Sequence, residues 1–246
     1  MSNRFVQKLQ RLIELSADDV LALETATAQR RDYAAKEDLI REGDRPGPVF
    51  VMLDGWACRY KILPNGTRQI TAFLLPGDAC DLHIGMLAQM DHGIQAVTPA
   101  KVALIAGQKM AAMLETHPRI ANAMYKAQLI DEGTLRAWIV SMGRRSSAER
   151  VAHLMCELYL RASVVNGGDP RELALPISQV IFADALGMTP VHINRVLRDL
   201  RNSGVMELRR GSLRILDPVK LVQVAGFDEN YLHRRRSQWA QELPAL

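Results

Sequence analysis

Two helices separated by a tight turn are predicted by the order of apolar and polar residues between Val180 and Arg201. The first segment is apolar on one side, at Val180, Ile181, Ala183 and Leu186. The second repeats apolar residues at the three- and four-residue spacing of a helix, at Ile193, Val196, Leu197 and Leu200. Each segment therefore has an inner face that can pack and an outer face that stays in water.

Capping residues support both helices. Ser178 and Thr189 precede the two segments, and a hydroxyl at an N-cap accepts a hydrogen bond from an otherwise unpartnered backbone N–H. Pro190 takes the first helical position, where its missing N–H costs nothing, and Gly187 suits a turn that needs positive φ. These signals favour a helix-turn-helix, a motif that lays its second helix in the major groove of DNA. A plain surface helix is the alternative.

A β-hairpin is predicted directly after the second helix. The segments 205–208 and 213–216 alternate like strands around a turn that contains two arginines. At the tip of such a wing, Arg209 and Arg210 are suited to contact phosphates. A solvated hairpin tip is the alternative interpretation.

Short apolar strands, punctuated by glycine and proline, are predicted from about residue 33 to 106. The segments 56–63 and 68–75 flank Pro64-Asn65-Gly66-Thr67, which signals a hairpin because Asn-Gly tolerates positive φ. Further strands are expected at 49–53 and 100–106. Many short strands at this spacing favour a small barrel or jelly roll.

A long helix is predicted after Pro118. The residues that follow a 4-3-4-3-4 spacing along it are Ile120, Met124, Ala127, Asp131, Thr134 and Trp138. An imperfect heptad seam between two domains indicates contact with a second copy of the chain, and packing within the same chain is the alternative. Gly143 opens a short polar stretch that we expect to be a hinge before another helix at 148–161.

Composition and charge narrow the class of protein. The 246 residues are 48% hydrophobic and 24% charged, which fits a globular chain of two domains. The entire net charge of +4 arises after residue 143, where 15 basic side chains stand against 11 acidic ones, and this excess fits a polyanion partner. No catalytic motif stands out, so we expect no enzyme.

The setting is expected to be the cytoplasm. No apolar run reaches membrane-spanning length, and the N-terminus does not read as a signal peptide. The dispersed cysteines, Cys58, Cys80 and Cys156, favour reduced thiols over a disulfide framework. For Cys58 and Cys80 we prefer small buried hydrophobes to a redox switch.

The order of barrel, long helix and winged helix-turn-helix resembles the CRP/FNR family of bacterial transcription regulators. The resemblance extends from about Tyr33 to Leu221 and is strongest at 42–78 and 177–201. It implies an α+β protein with an N-terminal cyclic-nucleotide-binding-like β-roll or jelly-roll sensor domain over 1–117 and a dimerisation helix over 118–143. A winged helix-turn-helix domain with a C-terminal helical extension would occupy 144–246. It also implies a homodimer on a palindromic operator, with RNA polymerase as a further partner.

The resemblance assigns base contacts to the start of the second helix of the motif. Arg195 matches a recurrent arginine of the family, and its fork can bond O6 and N7 of a guanine. Pro190 and Val191 stand where members often carry an Arg-Glu pair, so polar readout shifts onto other residues. With the turn residue and the wing included, the expected DNA-binding set is Thr189, Pro190, Val191, His192, Asn194, Arg195, Arg198, Arg209 and Arg210.

The sensor side departs from the members that bind cyclic AMP. Those members carry a Gly-Glu-Leu turn and an arginine for the cyclic phosphate, whereas here no arginine occurs between Arg68 and Arg119. We therefore expect no cyclic AMP binding, and too few cysteines for an iron–sulfur cluster. Asp81, His83 and His92, with Asp91, are the candidate effector residues, although turns at a barrel mouth often carry such side chains, and no metal site is assigned.

Two modes of control stay open. An effector in the β-roll could re-aim the DNA-binding domains about Gly143, or the dimer could be competent at all times and respond to its abundance. A different class of function also stays open: a ligand-binding module that regulates a partner protein.

Overall fold

The computed structural model describes residues 2–80, 82, 86–163, 172–209 and 211–234. The chain forms two compact units, Met1–Leu129 and Ile130–Leu246. Their boundary lies inside the long helix, so this helix belongs partly to each unit. The α+β fold class predicted from the sequence is confirmed, with a β-roll in the first unit and a winged helix-turn-helix in the second.

The described residues of the first unit form eight short strands, with helices packed around them. The helices are α1 (Arg4–Leu12), α2 (Ala17–Ala26), α3 (Gly107–Thr116) and the first part of α4 (Pro118–Arg144). The strands are β1 (Arg30–Tyr33), β2 (Asp38–Ile40), β3 (Val49–Asp54), β4 (Ala57–Ile62), β5 (Arg68–Leu74), β6 (Ala79–Cys80), β7 (Gly93–Ala96) and β8 (Ala100–Ile105). The chain before β1 forms two helices, α1 and α2, because Ser16 starts the second one with a capping box to Asp19.

Two antiparallel four-stranded sheets form the roll. Their strand orders are β1-β8-β3-β6 and β2-β7-β4-β5. The core side chains shared by these sheets and the helices include Phe5, Val51, Leu74, Ile94, Ile105 and Met124. The predicted hairpin is β4–β5, where Gly66 has a φ of 81° and the Asn65 side chain accepts from the Thr67 N–H.

Gly55 has to be a glycine at the turn between β3 and β4. Its φ is 77°, and a Cβ there would lie 2.3 Å from the carbonyl oxygen of Pro99. No side chain fits at that distance, so the residue allows the β3–β4 turn to approach the start of β8.

The second unit consists of helices around a three-stranded sheet. After the rest of α4 come α5 (Ser147–Ser163), β9 (Glu172–Ala174), α6 (Gln179–Leu186), α7 (Pro190–Asn202), β10 (Met206–Arg209), β11 (Ser212–Ile215) and α8 (Pro218–Ala225). In the predicted C-terminal helical extension, Glu229–Leu232 form a 3₁₀ turn, and residues 235–246 lie outside the described residues. Residues 164–171 are also outside them.

The polar stretch predicted to be a hinge is helical at its first residue. Gly143 lies inside α4, which continues to Arg144. Only two residues separate the end of α4 from the start of α5. Ser146 accepts from the Glu149 N–H, and the Glu149 carboxylate accepts from the Ser146 N–H, so α5 begins with a reciprocal cap. Helix and cap thus take up most of these residues, and the hinge, which concerns motion between the two helices, stays a prediction.

No helix in the described part of the chain combines the length and the apolar character that crossing a membrane requires.

A histidine is buried in α5 of the second unit. His153 stacks on Tyr231, with ring centroids 6.0 Å apart, and meets Phe227 edge-on at 5.0 Å. Burial, with a smaller effect of the Arg145 charge, lowers the pKa of His153 to about 4. Burial disfavours the imidazolium because its hydration is lost.

We predict that the contribution of His153 to stability falls between about pH 6.5 and about pH 4. The unfolded chain binds the His153 proton in this interval and the folded chain does not, so the free energy of unfolding decreases as the pH is lowered, by about 3 kcal/mol at most. Urea unfolding of wild type and His153→Phe at a series of pH values measures this. The variant keeps an aromatic ring, and it should show a shallower pH dependence; identical slopes would contradict the prediction.

Candidate nucleic-acid interface

The helix-turn-helix predicted from the sequence is confirmed. Ser178 Oγ accepts from the Ile181 N–H at 3.3 Å at the start of α6, and Thr189 Oγ1 accepts from the His192 N–H at 3.2 Å at the start of α7. Gly187 ends α6 in the left-handed conformation with a φ of 62°. The caps and this glycine thus set the turn between the helices by local interactions alone.

The inner faces of both helices pack inside the second unit. The fully buried side chains are Phe182, Ala183, Ala185 and Leu186 of α6 and Ile193, Val196 and Leu200 of α7. Val180, predicted on the apolar side of α6, is instead exposed. It lies in the first turn, and the buried stripe runs through Phe182 and Leu186 rather than through it.

The predicted DNA-binding residues of α7 share its outer face. Thr189, Pro190, Asn194, Arg195 and Arg198 are exposed, His192 is half-buried, and Val191 exposes 79% of its surface. Val191 therefore contributes little to the core of the second unit. Its position at the start of the helix is where a base-edge contact would be made.

The structure adds a contact that sequence reasoning missed. A guanidinium N–H of Arg195 lies 3.0 Å from Nδ1 of His192, one turn earlier on α7. Because arginine only donates, Nδ1 accepts, and the proton of the neutral ring is then on Nε2. His192 thus restrains the Arg195 side chain and keeps one donor of its own. The sequence did carry a signal for this contact, because His192 and Arg195 are three residues apart on a helix and so lie on the same face.

Of the two arginines predicted to contact phosphates from the wing, Arg209 lies in the described part of the chain, and it has an acidic neighbour. Arg209 in β10 forms an ion pair with Glu207 of the same strand, and Arg214 in β11 faces Glu172 of β9 at 3.8 Å. Arg210 lies outside the described residues. To contact a phosphate, the exposed Arg209 side chain would have to leave the half-buried Glu207, and an ion pair so close to water contributes little to stability.

The residues predicted to form the dimer seam of α4 mostly face their own chain. Ile120 and Met124 are buried in the core of the first unit, and Thr134 and Trp138 are buried in the second. Ala127 and Asp131 are half-buried. The predicted seam is therefore corrected: the 4-3-4-3-4 spacing detects an apolar stripe, but the rest of the same chain covers most of it. The large apolar side chains that α4 does expose are Tyr125, Leu129, Leu135, Ile139 and Val140.

Of the candidate effector residues, His92 and its neighbour Asp91 lie in the described part of the chain. His92 donates from Nδ1 to Asp91 at 2.6 Å, and its Nε2 accepts from the Arg59 guanidinium at 3.2 Å. The hydrogen bond from His92 lowers the pKa of Asp91. Asp81 and His83 lie outside the described residues, and within the described ones no group of three His, Cys, Asp or Glu side chains is arranged to hold a metal ion.

The three cysteines are buried. Burial raises the pKa of Cys156, so its thiol stays protonated. Cys58 in β4 and Cys80 in β6 occupy core positions, in agreement with the interpretation as small hydrophobes.

Comparisons with known proteins agree with this architecture. Residues 30–117 match the cyclic nucleotide-binding domain, and residues 149–224 match the Crp-like helix-turn-helix domain. The nitrogen fixation regulation protein FixK of Bradyrhizobium diazoefficiens is 26% identical over 197 residues, 80% of this chain and 82% of that protein. The transcriptional activator protein FnrL of Cereibacter sphaeroides is 23% identical over 206 residues, 81% and 82% of the two chains. The structure of FixK2 from Bradyrhizobium japonicum superposes with a TM-score of 0.72 at 22% identity, over 80% of this chain and 96% of that one.

A β-roll of the cyclic-nucleotide-binding type followed by a winged helix-turn-helix defines a DNA-binding transcription regulator. The chain belongs to the CRP/FNR family. Members of this family are regulators rather than enzymes, and they bind DNA as dimers.

We predict that Arg195→Ala weakens operator binding by about 1–3 kcal/mol and relaxes selectivity at one base position, because one bidentate base contact is lost. Arg209→Ala is the control: it should weaken binding to all sequences alike and reduce the salt dependence. Titration against an operator selected from random DNA measures both. Unchanged affinity and selectivity of Arg195→Ala would refute its role.

Proposed function

We propose that the protein is a homodimer that binds a palindromic operator with one α7 in the major groove of each half-site. The observation that carries this is the outer face of α7, which exposes Val191, Asn194 and Arg195 while Ile193 and Val196 anchor the helix from within. Half-sites about one helical turn, or roughly 34 Å, apart follow from a two-fold dimer.

The side chains on this face differ in chemistry, so each suits a different group on the bases. Arg195, restrained by His192, suits a guanine, and Asn194 offers a second polar side chain. Val191 suits the methyl group of a thymine. Thr189 and Pro190 start the helix close to the backbone of the DNA, and Arg198, Arg209 and Arg210 supply charge for phosphates.

The dimer is proposed to form along the exposed apolar side of α4. Tyr125, Leu129 and Ile139 follow the heptad spacing, with the Glu132–Arg136 ion pair at the two positions between them. Leu135 and Val140 flank this line. Covering a side chain of this size contributes about 1.5–3 kcal/mol, so a second copy packed here would gain much of its affinity from these residues.

The trigger is proposed to differ from cyclic AMP, or the dimer is competent without an effector. The stretch between Arg68 and Arg119 supplies no guanidinium for a cyclic phosphate. His92 is held by Arg59 and Asp91, so among the effector candidates Asp81, His83 and His92 it would act through this chain of hydrogen bonds. At a promoter the partner is RNA polymerase, and the site of action is the bacterial cytoplasm, where the chromosome is.

We expect Ile139→Glu to weaken the dimer at least about tenfold, because two buried carboxylates would replace an apolar contact. Sedimentation equilibrium measures the dissociation constant. Leu21→Glu in α2 is the matched control, since Leu21 is 64% exposed and Ile139 68%, and it should leave the dimer intact. Equal effects of the two substitutions would contradict the proposed interface.

Isothermal titration with cyclic AMP should give no heat of binding, because no arginine between Arg68 and Arg119 is available to pair with the cyclic phosphate. A tight, saturable titration would overturn this part of the proposal.

Genome-wide mapping of bound DNA, followed by gel shifts on the recovered sites, tests the function as a whole. Palindromic sites near promoters are expected. Recovery of a bound protein and no DNA would favour the ligand-binding module that acts on a partner.

A further inference from the structure

A short segment after the winged domain packs back onto the second unit. The Crp-like domain match ends at residue 224, and α8 ends at Ala225, followed by Gly226 in the left-handed conformation. The chain then turns so that Phe227 and Tyr231 cover His153 on α5. We call residues 226–232 the return segment.

A buried carboxylate joins the return segment to two helices. Glu157 of α5 is fully buried. One of its oxygens, Oε2, accepts from the Trp138 indole N–H of α4 and from the Tyr231 hydroxyl, each at 3.0 Å. The other, Oε1, accepts from Arg161 at 3.1 Å. A single carboxylate oxygen therefore links α4, α5 and the return segment.

Two further contacts hold the same elements together. Gly133 of α4 is buried, and a Cβ there would lie 3.1 Å from the Tyr231 carbonyl oxygen, so the return segment touches the bare backbone of the helix. After α4 ends, the Arg145 guanidinium donates to the carbonyl oxygens of Ala225 and Gly226, each at 3.3 Å. The chain after α8 thus contacts α4 before its end and the short link between α4 and α5.

We propose that the return segment and Glu157 form a clasp that fixes the angle between α4 and α5. Glu157, Trp138 and Tyr231 are then positioning residues for DNA binding. The recognition helix α7 packs on α5, so this angle sets where α7 lies relative to α4. The inference rests on the proposed function, in which two copies joined along α4 read two half-sites. In that dimer the clasp determines the spacing between half-sites that the protein accepts.

Spacing preference is the measurement that separates positioning from folding. Palindromes of constant half-sites, with the separation varied by one and two base pairs, are titrated in parallel with a single half-site. The wild type should prefer one separation. Tyr231→Phe removes one hydrogen bond to a charged group, and we expect it to reduce that preference about tenfold while single half-site affinity stays within about twofold.

Gly133→Ala perturbs the clasp from the α4 side, and Gly143→Ala is its control. Both substitutions favour helix to a similar extent, but a Cβ at Gly143 meets no atom within 4 Å. Gly133→Ala should flatten the spacing preference, and Gly143→Ala should keep it. Glu157→Gln retains an acceptor for Trp138 and Tyr231, so it should preserve more of the preference than Glu157→Leu.

The outcomes distinguish the clasp from the function beneath it. If wild type shows no spacing preference, or binds no palindrome, the dimeric function fails. If wild type has a preference and folded Tyr231→Phe and Gly133→Ala keep it unchanged, the clasp is refuted. Circular dichroism establishes that each variant is folded, and because Tyr231→Phe removes only one oxygen atom we expect it to fold.

Discussion

The burial of α5 is the constraint around which the second unit is arranged. From Val151 to Leu160 every side chain of this helix is buried, and His153 and Glu157 are among them. A buried carboxylate is tolerated only when its oxygens are hydrogen-bonded. The donors come from α4, from the next turn of α5 and from the return segment. Burial raises the pKa of Glu157 even though these donors lower it, and burial lowers the pKa of His153. The pKa values of both groups therefore differ from their values in water.

The position of the recognition helix α7 depends on this arrangement, because α7 packs on α5. Its inner side chains pack within the unit, which leaves the outer face free to differ without loss of the fold. A proline and a valine at the start of α7 reduce the number of polar contacts that the helix can offer. The His192–Arg195 pair partly offsets this, because a restrained arginine loses less side-chain entropy when it binds a base.

The apolar residues of α4 fall into two sets, one buried in its own chain and one exposed. One set closes the cores of the two units, and a second set remains exposed along the helix. The hydrophobic effect is non-directional, so periodicity alone cannot say which set meets the same chain and which meets another. The predicted seam combined residues of the first kind, and the proposed interface uses the second.

Local signals in the sequence determined the helix-turn-helix, the wing and the β4–β5 hairpin. Caps at Ser178 and Thr189, left-handed glycines and Asn-Gly act within a few residues, so they can be read without a tertiary structure. The tertiary structure alone decided what covers α4, why Val180 is exposed, and that Glu157 meets partners 19 and 74 residues away. Those outcomes depend on the packing of distant elements and on the cost of burying a charge, and neither leaves a local pattern in the chain.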